Sequence, residues 1–202
     1  MKLQIDRIDQ HALTGFINRV KLIDSFVYMK IKDGQITSAV YLPQRDAVKS
    51  HAVECDKIFQ ISEWPDTDLE MKVAFFEGAK VIEAIKHFDA DAIKGELEFI
   101  EQEGELIASS LRMFNDELEI TLSCSEPSLG FKDLTPEVSV SGKSFNATIN
   151  PESNGKGEVT VYKKYLNLLD REEQKVHISD GKIVFQSTES QTLLTVSTCQ
   201  TA

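Results

Sequence analysis

The chain has 202 residues, 41% of them hydrophobic and 27% charged, enough for one large or two small domains with real cores and far from a disordered composition. A net charge of -11 opposes simple adhesion to nucleic acid or anionic lipid, because the average field of the protein repels phosphate. Three widely spaced cysteines, Cys55, Cys124 and Cys199, contain no Cys-x-x-Cys pair and argue against a disulfide framework or a zinc site. No apolar stretch approaches the length of a membrane span, and the residues after Met1 lack the apolar region of a secretion signal, so the sequence is read as cytoplasmic with no membrane partner.

Leu3 and Ile5 alternate with polar residues as a short strand. Asp9 is placed to cap a helix over residues 10–23, in which Leu13, Phe16, Ile17 and Val20 form a buried stripe. The other side of that helix carries His11, Thr14, Asn18 and Lys21, with Arg19 close by. Residues 26–32 and 35–42 form a hairpin ended by Pro43, and residues 47–61 read as one long or bent strand. A polar loop with Trp64 and Pro65 precedes a strand over 71–76, which leads through Gly78 into a second helix, 79–89. Val81, Ile82, Ile85 and Phe88 line one face of it.

A hairpin follows over 97–110, turning at Gly104, and Leu118, Ile120 and Leu122 then alternate in a strand with one common face. Between Ser125 and Gly142, prolines and glycines interrupt scattered apolar residues, which marks a linker over 125–142 between a first domain, 1–124, and a second, 143–202. The second domain holds a short strand near 145–149, a third helix within 158–174, centred on 161–171, a hairpin over 176–187 and a final strand, 192–198. Helix followed by hairpin thus occurs three times, with the turn glycines Gly34, Gly104 and Gly181 at nearly even intervals. A loosely periodic α+β protein of helix-plus-meander units is the expected fold class, with the helices sharing one face of an antiparallel sheet.

Motifs for chemistry are missing: there is no phosphate-binding glycine loop, dinucleotide fingerprint, His-Glu-x-x-His helix or nucleophile elbow. His51 and Cys55 would share a face if they stood in one strand, the nearest approach to a Cys-His couple, but no further His or Cys stands near them in the sequence. No catalytic residue, metal or cofactor is expected. Glu101, Glu103 and Glu105 read as a solvated strand edge that resists edge-to-edge pairing. The helices say more, because each bears basic or polar groups opposite its apolar stripe: Arg19 and Lys21, then Lys80, Lys86 and His87, then Lys163, Lys164 and Arg171. With Asp24, Glu83, Asp89, Asp170, Glu172 and Glu173 among them, two readings stay open: an ordinary solvated face, or a common surface turned toward phosphate.

At this point the chain resembles the DNA sliding clamps, in particular the phage-type polymerase processivity factors. Residues 1–124 are similar to one clamp domain, two helix-and-meander half-units in succession, and Lys164 to Gln186 is similar to the first half of a second. The resemblance implies a non-enzymatic ring, a homotrimer, that encircles duplex DNA with its helices inward, receives a clamp loader's action in the host cytoplasm if phage-encoded, and tethers a DNA polymerase. On that basis Arg19, Lys21, Lys80, Lys86, His87, Lys163, Lys164 and Arg171 would meet DNA phosphates without sequence preference, and Leu129, Phe131 and Leu134 would dock the polymerase. One departure stands out: two clamp domains need four helices, and three are found, with the stretch after Cys124 well short of the first domain's length. Either the second domain is abbreviated or a degenerate helix lies between Ser125 and Gly157. The competing reading is a structural or protein-interaction module of the same α+β class, such as a phage assembly component.

Overall fold

The computed structural model describes residues 1–21, 25–41, 47–89, 93–125, 145–146, 160–161, 163–179 and 181–197. In chain order these form β1 (Lys2–Ile5), β2 (Arg7–Ile8), α1 (Gln10–Lys21), β3 (Val27–Lys32), β4 (Gln35–Tyr41), β5 (Ala47–Glu54), a 3-10 turn (Cys55–Lys57), β6 (Phe59–Gln60) and β7 (Met71–Phe75). Then come α2 (Gly78–Ile85), β8 (Lys94–Gln102), β9 (Glu105–Phe114), β10 (Glu119–Ser123), β11 (Phe145–Asn146), β12 (Thr160–Val161), α3 (Lys163–Leu166), β13 (Gln174–Ser179), β14 (Lys182–Ser187) and β15 (Thr192–Ser197). The chain divides into two compact units, one of residues 1–38 and 52–134, the other of residues 39–51 and 135–202. Residues 39–51, read from sequence as part of the first domain, group with the second unit, where β5 pairs antiparallel with β15 from His51 opposite Thr192 to Ala47 opposite Val196.

In the first unit the strand order is β1-β8-β9-β7-β3-β4, with β10 added to β9. All pairs are antiparallel except β7 with β9, which run parallel at Met71 and Lys72. The hairpin turns form where expected, because two successive residues can take positive φ: Asp33 (50°) with Gly34 (73°), and Glu103 (53°) with Gly104 (80°). That pair of left-handed residues matches the twist of the flanking strands. β8 and β9 extend beyond the predicted 97–110, and the register slips once between Glu98 and Phe99.

The helix starts and stripes follow their local causes. Asp9 Oδ1 accepts the backbone N–H of Ala12 at 2.8 Å, the capping bond expected of an Asp before the first turn. Leu13, Phe16, Ile17 and Val20 of α1, and Val81, Ile82, Ile85 and Phe88 of the second helical segment, are all buried. The two helices run antiparallel: Gln10 at the start of α1 donates through Nε2 to the Ile85 carbonyl (2.8 Å) and the Phe88 carbonyl (3.4 Å) at the end of α2, satisfying acceptors that a helix C-terminus leaves open. At the opposite end, Gly78 opens α2 so close to α1 and β3 that a Cβ there would overlap the Val27 side chain and lie 3.0 Å from Ile17 Cγ2. α2 stops at Ile85 and not at 89; Lys86 caps it, and His87 and Phe88 turn back onto the Ala84 and Ile85 carbonyls at 3.2 Å in a tighter last turn.

Residues 47–61 are not one strand. Glu54 ends β5, the Cys55–Lys57 turn follows, and β6 pairs with β2. In the second unit β5, β15, β14 and β13 lie in that order, with the Gly181 turn (φ 74°) between β13 and β14. Its core is Ala47, Val161, Tyr165, Ile183, Phe185, Leu194 and Val196, against which Leu166, Leu168, Leu169 and Val176 pack. The third helix is much shorter than the expected 161–171: one turn, Lys163–Leu166. The Leu168 carbonyl, which a longer helix would use internally, instead accepts the Lys49 ammonium at 3.0 Å. The question of a degenerate helix between Ser125 and Gly157 falls largely outside the described residues.

Gly78→Ala is expected to lower stability by about 1–3 kcal/mol, since the added methyl must displace Val27 or tilt α2. Gly15→Ala, where nothing lies within 4 Å of an added Cβ, is the control and should leave stability equal to or above the parent in urea unfolding.

Candidate nucleic-acid interface

Burial of each stripe decides where the remaining side chains go. On α1, His11 and Asn18 are exposed and Thr14 and Arg19 half-exposed. On α2, Lys80 and Glu83 are exposed, and Lys86 and His87 are exposed just past its end. Because α1 and α2 are antiparallel, the end of α1 that bears His11 lies beside the end of α2 that bears Lys86 and His87. The other end of α1, with Arg19 and Lys21 in its sequence, lies beside the start of α2 and Lys80. The sequence-derived candidates of the first unit are therefore brought together at both ends of one helix pair.

The charge of the helices runs against that of the chain. Residues of α1, α2 and α3 include Arg19, Lys21, Lys80, Lys163 and Lys164, and a single acid, Glu83. The whole chain has 22 Lys and Arg against 33 Asp and Glu, so the helices are a basic minority in an acidic protein. Lys80 is available to a ligand at little cost: its Nζ lies 3.1 Å from Glu77, but both side chains are well exposed, and such a pair holds its partners weakly. The Lys164 ammonium sits 4.8 Å from the centre of the Tyr165 ring, whose own body is fully buried in the second unit's core. Arg171 is exposed, but with α3 ending at Leu166 it stands beyond the helix and not on it. Leu129, Phe131 and Leu134, expected to dock a polymerase, lie outside the described residues.

One feature of this region had no sequence signal beyond an apolar residue at a strand end. Phe75, Phe76, Glu77, Lys80, Val81, Leu122, Ser123 and Ser125 line an open cavity of about 220 Å³ beside β10, with Phe76 64% exposed. The predicted alternation of β10 holds: Leu118, Ile120 and Leu122 are half-buried while Glu119, Thr121 and Ser123 face solvent.

The Cys-His couple does not form. His51 stands in β5 with Nδ1 3.1 Å from Thr192 Oγ1, whereas Cys55 begins the 3-10 turn, buried. Burial, reinforced by Asp56, pushes the Cys55 thiol up to about 12, and burial alone does the same to Cys124. Neither is a thiolate near neutral pH. Among the described residues no group of three or more His, Cys, Asp or Glu could hold a metal ion, and no helix is long and apolar enough to cross a membrane.

No family model matches the sequence, and no curated protein does. The architecture does match solved structures. The β clamp of H. pylori in complex with 5-chloroisatin superposes with a TM-score of 0.63 at 12% identity over 100% of this chain and 64% of that one. A. fulgidus PCNA, solved with the C-terminal region of FEN-1 bound, gives 0.60 at 9% identity over 99% of both chains. The chain has the fold of a DNA sliding clamp. The DnaN clamp of Bartonella birtlesii, solved with griselimycin, gives 0.60 at 10% identity over 100% of this chain and 66% of its own, so this chain spans just under two thirds of the bacterial clamps' length. The sliding-clamp architecture is the repeated helix-and-meander arrangement, with few helices on a sheet-rich body, that the turn glycines announced.

In the folded protein Cys55 and Cys124 should resist maleimide at pH 7.5 and react at once in denaturant. Peptide mass spectrometry of the labelled chain checks this; rapid native labelling of the buried Cys55 would contradict its burial, and that of the half-buried Cys124 its raised thiol.

Proposed function

We propose that this protein is a DNA polymerase processivity factor: a non-enzymatic homo-oligomeric ring, a trimer, that encloses duplex DNA and tethers the replicative polymerase. The observation that carries the reading is the charge contrast between basic helices and acidic remainder, on a sliding-clamp fold. Arg19, Lys21, Lys80, Lys86, His87, Lys163, Lys164 and Arg171 would meet backbone phosphates loosely and without reading bases, so the ring slides. Retention comes from enclosure, which the net charge of -11 does not oppose.

Ring closure requires complementary strand edges, and two support it. Among the described residues β10 pairs only with β9, and β13 only with β14. Ile178 on β13 is 43% exposed, a large apolar side chain on an otherwise unpartnered edge. Joining one copy's β10 to the next copy's β13 would be head-to-tail, the geometry that closes rings. Loading onto DNA would fall to a clamp loader in the cytoplasm, and the polymerase would dock at Leu129, Phe131 and Leu134.

Changing Lys21, Lys80, Lys86, Lys163 and Lys164 together to Glu should cut retention on circular DNA by on the order of ten-fold or more while leaving the unfolding midpoint nearly unchanged. The assay is retention on circular against linear duplex with a cognate loader and polymerase. Equal retention on circle and line for the parent, or unimpaired processivity with the variant, would make these lysines an ordinary solvated face. Ile178→Glu should convert the sedimenting oligomer to monomer at tens of micromolar with no loss of helix or sheet signal; an unchanged oligomer would remove β13 from the interface.

A further inference from the structure

The second unit buries a polar cluster that no part of the proposed DNA-binding role uses. Lys49 of β5 is only 4% exposed, and its ammonium donates to Asp170 Oδ1 at 2.8 Å as well as to the Leu168 carbonyl. Asp170 Oδ2 accepts from Ser190 Oγ at 3.2 Å and from Ser187 Oγ at 3.4 Å. Ser190 Oγ continues to Thr192 Oγ1 (3.0 Å), and Thr192 Oγ1 meets His51 Nδ1. Gln174, the first residue of β13, donates through Nε2 to the Asp170 carbonyl (3.2 Å), the Glu172 carbonyl (3.3 Å) and Ser187 Oγ (2.9 Å). Glu172 closes the other side, accepting the backbone N–H groups of Glu189 (2.8 Å) and Ser190 (3.0 Å). The Asp170 carboxylate thus joins β5, the turn after α3, the end of β14 and the turn into β15, while the Asp170 backbone carbonyl and Ser187 Oγ tie in the start of β13 through Gln174.

We infer that Asp170 is the hub of a conformational clasp that holds the edge strand β13 and the β14–β15 turn on the second unit, so that removing its charge releases these segments while the rest of the protein stays folded. A buried ammonium left without its carboxylate must be rehydrated or expelled, and in either case the Leu168 and Asp170 backbone moves away from β5. Sub-global opening of this kind follows the weakest cooperative unit, and a unit closed by side-chain bonds at a one-turn helix is such a place. Burial works against the Asp170 charge, but the Lys49 bond and charge, with the Thr192 and Ser190 hydroxyls, outweigh it and hold the carboxyl below its ordinary value. A carboxylate depressed on folding contributes stability that is full above its unfolded value and lost as pH falls through its folded one, so acid should open the clasp below about pH 4. The titratable groups around it are Lys49 and His51 from β5 and Glu172 from its own turn; Gln174, Ser187, Ser190 and Thr192 are neutral.

Peptide-resolved hydrogen exchange on the full chain tests the clasp at pH 7. Asp170→Asn should speed exchange in 168–176 and 187–192 by on the order of ten-fold or more, with β3, β7, β8 and β9 unchanged. The double variant Lys49→Met with Asp170→Leu, which removes both charges and keeps bulk, should restore slow exchange. In the parent, lowering pH from 5 to 3, where carboxylates and not imidazoles titrate, should loosen the same segments, and the double variant, which keeps only the Glu172 carboxylate on the β14–β15 turn, should respond less. Asp170→Asn with parental exchange in these segments, or loosening both units alike, would overturn the proposal, as would an acid response undiminished in the double variant. Because exchange is read whether or not DNA is present, failure here leaves the clamp reading standing, and failure of that reading leaves the clasp.

Discussion

The close approach of α1, α2 and β3 at Gly78 sets the orientation of everything that could meet a ligand in the first unit. With no side chain at 78, Val27 and Ile17 can fill the junction, and with Gln10 bonding the far end of α2 the pair is pinned at both ends. Two antiparallel helices fixed in this way must bury Leu13, Phe16, Ile17, Val20, Val81, Ile82 and Ile85, and have no choice about which residues stay outside. The outward set is polar and basic because the inward set is complete. A functional surface here is a consequence of packing, and its chemistry lies in the residues packing does not need.

Electrostatics then separates two scales. At long range the acidic excess keeps the protein from collecting on any polyanion, while at short range the helices offer Lys and Arg with little competing acid. On the proposed function, a protein built this way would bind free duplex poorly and yet place cations along a duplex held inside it. Strong attraction would resist sliding, so weak and salt-sensitive contact is the form that enclosure calls for.

Much of this was legible in the sequence because its causes are local. The turns at Gly34, Gly104 and Gly181 need positive φ, the Asp9 cap acts within the first helical turn, and the stripes of α1 and α2 repeat at the helical period. What escaped was non-local. Nothing in the sequence on either side of Lys49 shows that it will be buried against the distant carboxylate of Asp170, nor that the third helix stops after one turn and leaves Arg171 off it. The pairing of β5 with β15 likewise moves residues 39–51 out of the domain their sequence neighbours suggested. For the interface, the identity of the exposed cations could be read from periodicity, whereas their grouping at the two ends of a helix pair depends on Gln10 and Gly78, neither of which carries a functional signature of its own.

In the proposed function, copies of this chain close into a ring with the helices inside. Electron microscopy of the purified protein at tens of micromolar, with two-dimensional averaging of single particles, tests it most directly. Closed rings of uniform subunit number are expected around a hole wide enough for a duplex, with the helices lining that hole once the averages are extended to three dimensions. Isolated single chains, open filaments, or rings whose helices face outward would contradict it.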